Sequence, residues 1–155
     1  MKVTKICGNL IAASAALFLF SVPAVAQDDD GGPQTWGEDA KYVETTVIKF
    51  KPGKRERAME IIAEYFVKAS EKAGTAGPML VIHMQTGNWD IAAVWELAGG
   101  TADLQWYRSP DNIKWREALN EIAGGEEEAA AIMKEYGSSV ADSLSNIGHY
   151  HTGEE

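Results

Sequence analysis

The sequence predicts an α+β domain with the ferredoxin-like order β-α-β-β-α-β and an extra helix before the last strand. Three observations carry this. The run YVETTVIKF, Tyr42 to Phe50, is rich in β-branched and aromatic residues and is stopped by Pro52-Gly53. Apolar residues at spacings of three and four then mark a helix. Two further apolar runs, MLVIHMQ and WDIAAVWEL, flank Thr86-Gly87-Asn88 and lead into more helical spacing.

The chain begins with the three-part layout of a secretory signal over residues 1–26. Lys2 and Lys5 are followed by an apolar stretch from Leu10 to Phe20, and Ala24-Val25-Ala26 forms a small-residue cleavage site. The apolar stretch falls short of the roughly 20 residues needed to span a bilayer. Cleavage removes Cys7 and two lysines, so the net charge moves from −9 to −11 and no disulfide can form. The expected location is the periplasm or the extracellular medium. Such acidity argues against nucleic acid and against stable membrane association after cleavage, because both need clustered Lys and Arg.

Residues 27–41, QDDDGGPQTWGEDAK, combine acids, glycines and a proline around Trp36 and read as a flexible leader. The folded domain is expected over residues 42–153. With 45% hydrophobic residues overall, a chain of this size can bury a core without covalent staples.

After the first strand, Ala58, Ile61, Ile62, Tyr65, Phe66 and Ala69 form one apolar stripe of a helix over Lys54 to Ala73, with Gly74 as its C-cap. Gly87-Asn88 suits a two-residue hairpin turn. That turn sets Met84 opposite Ile91, Ile82 opposite Ala93 and Leu80 opposite Trp95 on an apolar face. The other face then holds Gln85 and Asp90, His83 and Ala92, Val81 and Val94, Met79 and Glu96. Trp95 is therefore expected in the core and His83 on the opposite side.

Thr101 to Tyr107 reads as a short helix ended by Ser109-Pro110. Asp111 is the expected cap of the next helix, which carries Trp115, Ala118, Leu119 and Ile122 and stops at Gly124-Gly125. Glu126 to Tyr136 forms the extra helix, with three glutamates in its first turn where they favour the dipole. Ser143 to Thr152 is a last strand, with Ile147, His149 and His151 on one face.

The segments TTVIKFKPGKRERAMEII and WDIAAVWEL, the latter followed by a helix containing WYRSPD, resemble the dimeric α+β barrel superfamily. That group includes antibiotic-biosynthesis monooxygenase-like and stress-responsive barrel domains. The resemblance spans roughly Tyr42 to Ile122 and rests mostly on fold patterns. It implies a homodimer whose sheets close into a barrel around a cavity, in a family whose members range from cofactor-free oxidation of aromatic compounds through haem breakdown to proteins with no established reaction. Relatives often carry two histidines five residues apart in the helix after the third strand. Here Trp106 and Asp111 stand in those places.

Two functional readings follow. In the first, an exported dimer binds a small apolar or aromatic molecule between its sheets and acts as a cofactor-independent oxygenase or isomerase. His83 is then a base supported by Asp90 or Glu96, and Gln85, Tyr65, Trp106 and His149 line the cavity. In the second, the exported dimer is non-catalytic, with a binding or stress-related role, and His83 is held by hydrogen bonds at its interface. His83, His149 and His151 could gather if both strands project to one side, yet without Cys or a further acidic motif no metal is expected. No cofactor is expected, with P-loop and dinucleotide-binding patterns absent, and no nucleophile-elbow sequence supports a Ser-His-Asp triad.

Overall fold

A computed structural model describes Trp36 and residues 40–151. The predicted signal segment, and the predicted leader apart from Trp36, Ala40 and Lys41, lie outside the described residues. Strand β1 runs Ala40–Phe50, two residues longer at its start than the sequence suggests. A continuous helix over 55–73 follows, made of α1 (Arg55–Ile61), a π-helical turn (Ile62–Phe66) and α2 (Val67–Ala73). Gly74, at φ +64°, ends it in the left-handed region that glycine adopts without steric cost.

Strands β2 (Leu80–His83) and β3 (Ile91–Glu96) come next, followed by a 3₁₀ segment (Gly100–Gln105). Helices α3 (Pro110–Ala123) and α4 (Glu126–Ser139) precede β4 (Val140–His151). The sheet has the order β2-β3-β1-β4 with every neighbouring pair antiparallel, the topology of a ferredoxin-like α+β fold. Ser109 caps α3 through an acceptor bond from the Asn112 N–H at 3.1 Å, with Pro110 in the first turn. Asp111, the expected cap, lies inside that turn. The Ser-Pro pair starts this helix because proline fits the first helical position, where its missing N–H costs nothing.

The β2–β3 register differs from the two-residue turn. His83 pairs with Ile91, Ile82 with Ala92, Val81 with Ala93 and Leu80 with Val94. The connection is a seven-residue loop, 84–90, closed by the Met84 N–H donating to the Asp90 carbonyl at 2.9 Å. One residue of slip turns every β2 side chain to the other face. His83 therefore shares a face with Ile91 and Trp95 rather than opposing Trp95.

That face also carries Ile48, which pairs with Ile91, and Phe50. Phe50, Ala58 and Ile91 are buried together, with Ile48, Met59, Ile62, Tyr136 and Val140 packed around them. A second cluster lies between helices, where Ala69, Ala118, Leu119 and Ala129 are buried against Phe66, Trp115 and Met133. Tyr136 joins the two, its ring 6.4 Å from Phe50 and 5.0 Å from Phe66, both edge-on. Burial raises the pKa of its hydroxyl above the ordinary value.

Among the described residues no helix packs on the opposite face of the sheet. Val43, Thr45 and Val47 of β1 alternate there with Ala92 and Val94 of β3, Leu80 and Ile82 of β2, and Leu144 of β4. Leu80, Ile82 and Leu144 are 49%, 43% and 51% exposed. The corrected register makes this face more apolar than the mixed face expected.

Candidate functional site

Among the described residues the helices pack on one end of the sheet, around Ile48, Phe50 and Ile91. At the other end of the same face, β1 meets the 3₁₀ segment near Tyr42. A crevice of about 600 Å³ opens here. Its lining is Glu44, Leu97, Asp103, Leu104 and Trp106, together with Ser109 to Asn112 from the first turn of α3. Its volume lies within the range of small-molecule sites.

The charges of this lining are all negative, and none of its residues is basic. Asp103 is tied locally, accepting from the Gly99 N–H at 2.8 Å. Asp111 is paired with Lys114 at 3.0 Å. Glu44 differs. It is half-buried on an inner strand, its cross-strand neighbours are Trp95 and Ile147, and its carboxylate has no hydrogen-bond or ion-pair partner among the described residues.

The residues singled out in the sequence are dispersed. His83 is exposed at the end of edge strand β2. The Asp90 carboxylate is taken by the backbone N–H of Phe50 at 2.8 Å. Glu96 lies at the far end of β3, five residues from the Ile91 that pairs with His83, and its parity puts it on the opposite face. Gln85, in the 84–90 loop, donates weakly to the His83 carbonyl at 3.5 Å. Tyr65 packs on the interhelical cluster. Of the expected cavity residues only Trp106, half exposed, lines the crevice, and Asp111 joins it there.

The three histidines do not gather, although all lie on the helix-side face. His83 and His149 occupy opposite edge strands, three strand spacings or about 14 Å apart sideways and roughly 20 Å along the strands. The His149 ring instead lies 4.3 Å from Trp36 and 5.9 Å from Tyr42, tilted to both, and meets His151 edge-on at 5.1 Å. Among the described residues no group of three or more His, Cys, Asp or Glu is placed to hold a metal ion. No described helix is long and apolar enough to cross a membrane.

Glu44 escapes a reading of the sequence that treats YVETTVIKF as a generic half-buried strand. Its parity with Tyr42, Ile48 and Phe50 is the signal that it faces the helices.

No family model matches this chain, and no curated protein matches it. Solved structures similar to it include a NIPSNAP family protein from Agrobacterium tumefaciens strain C58, 13% identical over 69% of this chain and 90% of that one, with a TM-score of 0.45. A second NIPSNAP family protein from the same strain, described as of unknown function, is 10% identical over 74% of this chain and 92% of that one, with a TM-score of 0.49.

Proposed function

We propose that this chain is an exported homodimeric α+β barrel protein that binds a small molecule with an apolar or aromatic body in the crevice at Glu44 and Trp106. The observation that carries the reading is the crevice itself, where Leu97, Leu104 and Trp106 supply apolar wall and a strand-held carboxylate supplies orientation. Binding is preferred to oxygenase or isomerase chemistry because His83, Asp90 and Glu96 stand apart on two faces of the sheet. Export is supported by the composition of residues 1–26. Dimerisation is supported by the open face, whose exposed Leu80, Ile82 and Leu144 would leave water if two sheets pair.

The test is an amide NMR titration of the purified protein with neutral, anionic and cationic aromatic probes, namely indole, phenylacetate and 2-phenylethylamine. At least one should shift the signals of Leu104 and Trp106. If none of the three moves them at millimolar concentration, the binding reading fails. Sedimentation as a monomer at micromolar protein would remove the dimer.

A further inference from the structure

We infer that the crevice selects a small amphipathic cation, an amine with an apolar or aromatic body, and that Glu44 is the residue that seats its positive charge. The inference rests on the small-molecule reading above and adds the chemical class of the ligand.

An acid in the middle of an inner strand runs against β propensity, and here neither cross-strand neighbour offsets it, since Trp95 and Ile147 carry no charge. Partial burial of an unpaired carboxylate is unfavourable, and a β-branched residue would cost less at this position. Such local violations of folding preference are expected where a site must present a charged group.

The surroundings point to the sign and shape of what Glu44 meets. Asp103 and Asp111 keep the lining negative but are engaged by Gly99 and Lys114, so Glu44 is the one carboxylate of this lining with no partner among the described residues. A cation is favoured and an anion opposed chiefly by Glu44, with Asp103 adding to the same sign while the charge of Asp111 is answered by Lys114. Leu97, Leu104 and Trp106 offer apolar wall to the remainder of the molecule, and an indole in the wall is a group to which ammonium ions are attracted. A bare inorganic cation would leave that apolar surface unused.

The experiment compares 2-phenylethylamine, protonated at pH 7, with its neutral isostere 2-phenylethanol, by NMR titration of the wild-type protein and of Glu44→Gln. The expected result is at least tenfold tighter binding of the amine, shifts at Glu44, Leu97 and Trp106, and collapse of the preference to about onefold in Glu44→Gln. The preference in the wild type should also shrink as salt is raised, which gives a readout if the variant folds poorly. Equal affinity for amine and alcohol, or an amine preference unaltered in Glu44→Gln, overturns the inference and leaves the small-molecule reading standing. Failure of both probes together with indole and phenylacetate removes both.

Discussion

The Asp90 carboxylate accepts a hydrogen bond from the Phe50 backbone N–H at 2.8 Å, beside the point where the β1–β4 register shifts between Lys49 and Phe50. The Asp90 N–H meanwhile donates to the Ile48 carbonyl at 2.9 Å. The β1–β3 ladder ends at the Ile48–Ile91 pair, which leaves the Phe50 N–H on that side without a ladder partner, and Asp90 supplies one. Asp90→Ala should destabilise the fold by about 1–3 kcal/mol, the cost of stranding a part-buried donor. Asp90→Asn, which keeps an acceptor oxygen, should cost less than half as much. Urea midpoints for the two variants measure this.

The Trp115 indole N–H donates to the Phe66 carbonyl at 3.3 Å, and the rings meet edge-on at 5.5 Å. Phe66 closes the π-helical turn, so this bond ties α3 to the irregular part of the long helix. Trp115→Phe should cost about 1 kcal/mol, as a hydrogen bond is lost while an aromatic ring remains. Leu119→Ala, at a fully buried position of the same cluster, should cost about 2–5 kcal/mol. Thermal and urea unfolding should rank the two in that order.

Glu135 of α4 accepts two hydrogen bonds from Arg57, at 2.8 and 3.1 Å. These bonds hold its carboxyl below the ordinary glutamate value, with further attraction from Arg57 and Lys54. A depressed carboxyl contributes stability that is present above its unfolded value and is lost as pH falls through the lower folded value. Melting temperature should therefore drop more steeply below about pH 4.3, the unperturbed glutamate value, in the wild type than in Glu135→Gln. Both side chains are over two-fifths exposed, so added salt should narrow the difference.

The open face supplies a test of association that spares the core. Ile82→Asp places a charge on an exposed position opposite Ala92. In a paired sheet interface it should weaken dimerisation by roughly 100-fold or more, since an unpaired charge would be buried. Circular dichroism should remain that of the wild type while sedimentation shifts to monomer.

His83→Ala should change stability by less than about 0.5 kcal/mol, as expected for an exposed side chain. It should also leave binding of 2-phenylethylamine unaltered, because His83 lies outside the lining of the crevice. Loss of that binding would move the site to β2.

The fold was legible because its signals are local. The stripe through Ala58, Ile61 and Ala69, Gly74 at φ +64° and Gly124 at φ +94° act within a turn or two of their own positions. The β2–β3 register was not, although Gly87 does adopt the positive φ that a tight turn would use, +96°. What decides where β3 begins is its pairing with β1, some forty residues away, through Asp90 to Ile48 and Phe50. The same slip scattered the expected group around His83. Glu44 lay in plain view in the sequence, but its isolation depends on Trp95 and Ile147, which come from two other strands.

Because Asp90 anchors β3 to β1 through its N–H and carboxylate, besides closing its own hairpin through its carbonyl, the 84–90 loop does not by itself fix which β3 side chains face inward. Its length is thereby uncoupled from the identity of the two β3 faces. Residues inserted or removed near Gly87 should leave the β3 side chains on the faces that β1 assigns them, which makes this hairpin tip the natural place among the described residues for sequence drift or for grafting a foreign peptide.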